Sequence, residues 1–452
     1  MKKTLLLLML TASLFLTPTA RAQDPYSLLM FDQVIYYGMY QETVNEPVQD
    51  GMLRKKNWCY TKKLTQEQLD SFGDDLKMVV VLNALCDNYD RIGNVNMVMV
   101  PKGATDYNYD TATRIELGRF ITPFMNKNVQ PNEVPYMFDI DHITKVMHDT
   151  AITTIYDLWI ELEVYGYQGG PGQGGAAVEI PGCAGRSDVY MGSLEFQSEG
   201  GSTPVPGAVA LFPMSHKYEL KNYTLAGTDV LGETIRTINV TLEAPVTDAT
   251  LYIITSNHGA NSGGEEYIRR NHFIYFDDAQ VLMYKPGGLS CEPFRPYNTQ
   301  ANGIYTLQPR PLWQWQQISN WCPGDKIPIR SVSLGSLSAG THSFRIEVPD
   351  ATFNGGQGYF PMSVYLQGVT APLSTPDFST KEFSIYPNPV SDVATISSIA
   401  DINHVNVFNT LGQVVVSSNG KELNLSSLNS GMYMVQVQFA DNTTATRKIV
   451  KN

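Results

Sequence analysis

The chain has 452 residues, 43% of them hydrophobic, enough to bury more than one core and to expect two or three domains. A formal net charge of −12 and a pI of about 5.1 exclude the broad basic surface that nucleic acid or an anionic membrane would demand. Five cysteines, an odd number, leave one thiol over when the others pair.

In chain order, Lys2 and Lys3 precede an apolar run at residues 5–16, and Ala20-Arg21-Ala22 sets small residues where a signal peptidase reads. A signal peptide is therefore expected over residues 1–22, with the mature chain starting near Gln23. That run is shorter than the roughly 20 apolar residues a spanning helix needs, and no later stretch qualifies, so no transmembrane segment is expected. Strand signals dominate the rest: runs of Val, Ile, Thr, Tyr and Phe at residues 78–82, 95–100, 152–165 and 251–255, broken by Gly, Pro, Asn and Asp. Only residues 65–72 suggest a turn or two of helix. The class is all-β.

Gly/Ser/Pro-rich stretches cannot supply a core and tend to connect units that do. Two of them, at residues 198–207 and 369–380, divide the chain into expected domains at 23–200, 201–370 and 381–452, with a linker at 371–380. The tract 169–175 reads as a loop inside the first domain. Cys291 and Cys322 flank a Gly-, Pro- and Trp-rich loop whose unfolded freedom a bridge would limit, so these two are expected to pair. No C-x-x-C or clustered histidine accompanies the cysteines, as a zinc site would require. The nucleophile elbow, the Walker loop, H-E-x-x-H and G-x-G-x-x-G are all missing, and the seven histidines are scattered. Neither a cofactor nor a metal is expected.

Toward the end come Ile385-Tyr386-Pro387-Asn388-Pro389-Val390, then Val407-Phe408-Asn409-Thr410-Leu411-Gly412-Gln413, then Leu428-Asn429-Ser430-Gly431-Met432-Tyr433, and finally Lys448-Ile449-Val450-Lys451. In this order they resemble the type A C-terminal sorting domain of type IX secretion substrates, a small Ig-like β-sandwich. The resemblance implies the type IX machinery as a partner and passage through the periplasm and outer membrane of a Gram-negative, Bacteroidota-type cell. The destination would be the medium or the cell surface.

Four phrases lie between the two ends: Cys86-Asp87-Asn88-Tyr89-Asp90-Arg91 with Asn94-Val95, Gly118-Arg119-Phe120-Ile121-Thr122-Pro123, the stretch from Gly264-Glu265-Glu266-Tyr267 to His272, and Asn320-Trp321-Cys322-Pro323-Gly324. Together and in this order they resemble the peptide-N-glycosidase F family, amidases that release intact N-glycans from asparagine. The resemblance implies two adjacent eight-stranded jelly-roll sandwiches with a site between them, and N-glycosylated proteins or their glycans as partners. It implies Asp90 as the principal catalytic carboxylate, Glu266 as its support from the second domain, and Arg91 as a substrate-binding residue. Glu163 is the nearest match to a third carboxylate, with Glu161 on the same strand face as its competitor. Arg270 and Trp321 are further candidates for substrate binding, Trp321 with Trp313 and Trp315 as a stacking platform for sugar. This chain departs from the family at Ile318, where a substrate-binding arginine is expected, and at Gly264 and Ile268, where a cysteine pair flanks the glutamate. A cysteine expected shortly before Cys86 is missing, leaving Cys59 or Cys183 to pair with it.

Plainer readings stand beside these. Asp90 reads equally as a turn aspartate, Glu266 as half of a solvated acid pair with Glu265, Glu163 as an outward strand residue, and Arg91 as the surface partner of Asp87. A glycan-binding or adhesion protein without turnover is therefore the alternative to the amidase. A copper monooxygenase on a related double jelly roll comes third, disfavoured by the scattered histidines.

Overall fold

The computed structural model describes residues 25–170, 174–201, 207–260, 264–318, 320–370, 383–398, 400–441 and 443–452. The expected signal peptide and the 371–380 linker lie outside these. The chain divides into two compact units between residues 371 and 372.

In the first unit, nine strands build one sandwich: β1 (Tyr26–Tyr37), β2 (Met52–Lys56), β3 (Cys59–Lys63), β4 (Asp75–Ala84), β5 (Ile92–Pro101), β6 (Thr113–Ile121), β7 (Glu133–Asp139), β8 (Tyr156–Val164) and β9 (Asp188–Glu199). They form the sheets β1-β9-β4-β7 and β6-β5-β8-β3-β2. Strand β4 alternates as a half-buried strand should, with Leu76, Met78, Val80 and Leu82 all at 0% exposure, facing the core. A helix at Gln66–Asp70 falls within the stretch read as helical, and Thr65 and Gln68 close it with a reciprocal capping box.

Nine more strands come after it: β10 (Ala208–Leu220), β11 (Ile235–Leu242), β12 (Val246–Thr255), β13 (His272–Phe276), β14 (Ala279–Tyr284), β15 (Lys326–Ile327), β16 (Arg330–Leu337), β17 (Gly340–Glu347) and β18 (Phe360–Thr370). Eight of them form the second sandwich, from the sheets β10-β18-β12-β16 and β11-β17-β13-β14, around a core that includes Leu251, Ile253, Phe344, Ile346 and Leu366. The remaining strand, β15, crosses over and pairs with β6, Lys326 opposite Phe120 and Ile327 opposite Arg119.

Strands β5, β6 and β8 are buried on both faces. One face carries Val95, Met97, Ile160 and Leu162 into the first core. The other carries Asn94, Asn96, Glu116, Glu161 and Glu163, buried too, under His216, Lys217 and Ser363 of the second sandwich and under Tyr107 and Tyr109 of the first. Arg119, fully buried, makes the junction: it grips Glu116 through Nε and Nη2, and its Nη1 donates to Ser256 Oγ at 2.9 Å and to the Pro361 carbonyl at 2.6 Å. A polar sheet face thus becomes an internal seam, and every charge in it has to find a partner.

The second unit is a small sandwich of two sheets. Phe383–Tyr386, Val393–Ser398 and Glu422–Asn424 form one, and Val414–Ser418, Ile402–Phe408, Gly431–Phe439 and Thr444–Lys451 form the other, each in that spatial order. Val405, Val407, Val435, Val437 and Ile449 fill the space between. In the Asn409–Gln413 turn, Asn409 Oδ1 accepts from the amides of Leu411 and Gln413, both at 3.0 Å.

Candidate active site

Asp90 sits on the loop from β4 to β5, and that loop is tied at several points. Cys86 is bridged to Cys183, which resolves the pairing left open by the sequence, and Cys59 stays a buried free thiol. Asp87 is 1% exposed and is committed to the loop itself: it takes the Tyr89 amide at 3.0 Å, the Tyr167 amide at 2.6 Å and Arg91 Nε at 2.7 Å. The Arg91–Asp87 pair is therefore no surface ion pair. Arg91 also donates through Nη2 to the Tyr167 carbonyl at 3.2 Å, and its Nη1 has no hydrogen-bond partner among the described residues. From the end of β6, Thr122 brackets Asp90: its hydroxyl bonds the Tyr89 carbonyl at 3.1 Å and the Arg91 amide at 2.7 Å, and its own amide donates to the Arg91 carbonyl at 2.8 Å.

Glu266 comes from the second sandwich, on a single 3-10 turn, Glu265–Tyr267, in the connection between β12 and β13. Its two acids have different fates. Glu265 is fully buried, takes Arg270 through Nε at 2.8 Å and Nη2 at 3.0 Å, and accepts from the Thr352 amide at 2.8 Å. Burial opposes its charge, but these bonds hold its carboxyl below the usual range. Glu266 is 8% exposed and, among the described residues, accepts the Gly259 amide at 3.2 Å and a bond from Tyr267, and burial pushes its carboxyl up.

The segment after the short helix Leu312–Ile318 joins these two regions. The amide of Asn320 binds the turn that carries Glu266, Trp321 Nε1 donates to the Asn257 carbonyl at 2.8 Å, and Cys322 is bridged to Cys291 as expected. Gly324 turns the chain with φ of +99°, which suits glycine, and its amide donates to the Ile121 carbonyl at 2.9 Å. β15 then begins. Residues 320–322 hold the Glu266 side and residues 324–327 the Asp90 side.

A cleft of about 550 Å³ lies where the sandwiches meet, lined by Asp90, Arg91, Tyr165, Lys217, His258 and Tyr359 among others. Asp90 is pushed up to about 7, first by burial and then by the charge of Glu266, which faces it from the other sandwich. The loop acid and the turn acid are thus electrostatically coupled. His258 is pushed down to about 3 by burial and stays neutral, bonded to Ser256 Oγ at 2.8 Å.

Other candidates fall elsewhere. Glu163 shares a face with Glu161, as its spacing requires, but both are sealed at 0% exposure instead of pointing to solvent. Glu161 is held by Arg114 at 2.9 Å and Glu163 by Lys217 Nζ and by the Tyr109 hydroxyl at 2.6 Å. Lys217 reaches Glu163 from a β-bulge in β10, with φ of +47°. Ligand atoms of Cys59, Glu161 and Glu163 lie within 4.8 Å of one another, but Arg114 and Lys217 already balance both acids, the charge pattern of a salt-bridged seam and not of a cation site. That donor set contains no histidine, which does not fit copper. Trp321 does not offer a stacking face: it is 7% exposed and packs with Ile121, Ile254 and Ile327. Trp315 is 1% exposed with its Nε1 on Glu292, leaving Trp313 as the outward ring of the trio. Arg270 is bound to Glu265, and Ile318 packs beside Phe124, Ile304 and Trp315.

Three residues that hold the site in place were not singled out from the sequence. Thr122 and Asn320 each lay inside a quoted phrase, and Lys217 left no pattern at all.

Family models match in three places: the N-terminal domain of peptide-N-glycosidase F over residues 28–166, its C-terminal domain over 228–367, and a secretion system C-terminal sorting domain over 384–452. Among solved structures, PNGF-II superimposes with a TM-score of 0.56 at 17% identity, covering 76% of this chain and 66%, just under two thirds, of that one. Recombinant peptide:N-glycanase F (PNGase F) gives 0.50 at 18%, covering 78% and 97%. At such identities the likeness speaks to the fold alone. A comparison with curated proteins finds no match. The sorting domain supports secretion or display at the cell surface, and no helix among the described residues is long and apolar enough to cross a membrane.

Proposed function

We propose, for a chain that belongs to the peptide-N-glycosidase F-like proteins and carries both of their domains, hydrolysis of the amide between asparagine and the first N-acetylglucosamine of an N-glycan. The observation that carries this reading is the coupling of Asp90, which lines the cleft, to Glu266 from the other sandwich. A carboxyl poised near 7 suits proton transfer in both directions at neutral pH. The ionised Asp90 takes a proton from water, and the water oxygen bonds to the asparagine side-chain carbonyl carbon. As the carbon–nitrogen bond breaks, Asp90 returns that proton to the departing glycosylamine nitrogen. Aspartate is left in the polypeptide. Arg91, through its unengaged Nη1, is the donor for the developing charge on the amide oxygen. Glu266 keeps the Asp90 proton near neutrality, and Glu163, sealed by Lys217, takes no part in proton transfer.

Substrates on this reading are N-glycoproteins met outside the cell. The route is the type IX machinery across the periplasm and outer membrane of a Bacteroidota-type cell. The test is incubation of the mature protein with a denatured glycoprotein and mass spectrometry for asparagine converted to aspartate, with Asp90→Asn as control. Glycan retention without turnover is the second reading. It is favoured by the apolar packing of Ile318, where the resemblance calls for an arginine. Glycan-array binding with no mass shift would decide for it.

A further inference from the structure

The turn that presents Glu266 has little strength of its own. It is three residues long, and its backbone bonds, Glu266 amide to Gly259 carbonyl and Ile268 amide to Glu265 carbonyl, are both 3.4 Å. Gly264 and Ile268 flank the acid, so no disulfide closes it. Thr352 and Arg270 hold the Glu265 side chain, and one side chain, that of Asn320, reaches the turn's own carbonyls. Asn320, 5% exposed, donates from Nδ2 to the carbonyls of Glu265 at 2.8 Å, Glu266 at 2.6 Å and Ile268 at 3.2 Å. Three carbonyl oxygens around one atom require that atom to be the nitrogen of the amide. Among the described residues its Oδ1 is buried without a partner, which costs stability. Asn320 itself is held by its C-terminal neighbours, through the Trp321 indole on the Asn257 carbonyl and the Cys291–Cys322 bridge.

We infer that Asn320 is a positioning residue for the reaction: it gathers the carbonyls on both sides of Glu266 and so fixes where that carboxylate stands relative to Asp90. The consequence for turnover rests on the amidase reading, whereas the geometric claim does not.

The experiment has two arms. In the first, Asn320→Ala and the near-isosteric Asn320→Asp, which sets a carboxylate oxygen against three carbonyls, are assayed alone and in a Glu266→Gln background. The expected result for Asn320→Ala is a fall in kcat of about tenfold with KM within about twofold, and little further loss once Glu266 is already Gln. An equal loss in both backgrounds would mean general loosening and would overturn the proposal. The second arm follows the Asp90 carboxyl by isotope-edited infrared titration, and needs no activity. Arg91 and Asp87, which also bear on Asp90, and Tyr267 beside Glu266 are intact in every variant. Asn320→Ala is expected to lower the Asp90 midpoint from about 7 in the direction that Glu266→Gln does. A midpoint unmoved by Asn320→Ala but moved by Glu266→Gln would equally overturn it. Should Asn320→Asp fail to fold, Asn320→Ala and Asn320→Ser, which keeps a small donor, carry both arms. Wild-type protein that releases no glycan would defeat the amidase reading and leave the titration arm to decide the geometry.

Discussion

The loop of Asp90 and the turn of Glu266 perform one task, holding a half-desolvated acid in place, by different means. The Asp90 loop is closed covalently by Cys86–Cys183 and internally by the buried Asp87–Arg91 pair. The Glu266 turn has no covalent closure and depends on donors borrowed from elsewhere, Asn320 on its carbonyls and Arg270 on the neighbouring Glu265. In each case a nearby acid in the sequence, Asp87 or Glu265, is wholly consumed by structure. The difference teaches that an acid can be exact in position without a staple, provided its neighbours' charges are satisfied before its own.

That contrast can be broken most severely at the acids themselves. Asp90→Asn is expected to lower kcat/KM by about 10³-fold in the glycan-release assay. The same variant should be more stable than wild type at pH 8. A carboxyl raised to about 7 from an ordinary 3.8 binds its proton more tightly when folded, so wild-type stability falls as pH rises from about 4 through 7, and the variant escapes this. Thermal unfolding across that range should show an advantage of about 4 kcal/mol at the alkaline end, gone near pH 4. Glu266→Gln is expected to cost about 100-fold. It should also move the limb of the kcat/KM profile, near pH 7 where activity rises as Asp90 ionises, to lower pH. Replacing Cys86 and Cys183 together by Ser opens a closure across a separation of 97 residues. A loss of about 2–4 kcal/mol in denaturant unfolding is expected, with activity falling more than in any variant confined to the unstapled turn's supporting residues. Thr122→Val keeps the shape and removes the hydroxyl that brackets Asp90. About 1–2 kcal/mol of stability and a few-fold in kcat should go with it.

Much of this was legible in the residues. The run at residues 78–82 falls inside β4, and the stretch 65–72 read as helical contains the helix Gln66–Asp70. The phrases around Asp90 and Glu266 marked both acids. Period-two spacing also put Glu161 and Glu163 on a common face correctly, but it reports which side of a strand a residue takes and not what lies beyond that side. Here Glu163 meets Lys217 of the second sandwich, and Glu161 is sealed within its own sandwich by Arg114 and Tyr107. Trp321 failed for a related reason, since an indole that anchors a connection and one that receives a sugar have the same composition around them. The partner of Cys86 lies 97 residues away, a distance over which local pattern carries no information.

Two residues, Lys326 and Ile327, complete the edge of a sheet whose other strands are all finished before residue 165. Proteolysis or truncation between the sandwiches would therefore yield an N-terminal fragment with one rim of its sheet bare and its acid unopposed. During synthesis the chain holds Asp90 long before it holds the strand that seats the opposing half, and this long-range pairing is slow to form. The cleft, lined from both sandwiches, is therefore complete only after nearly all of both has been synthesised.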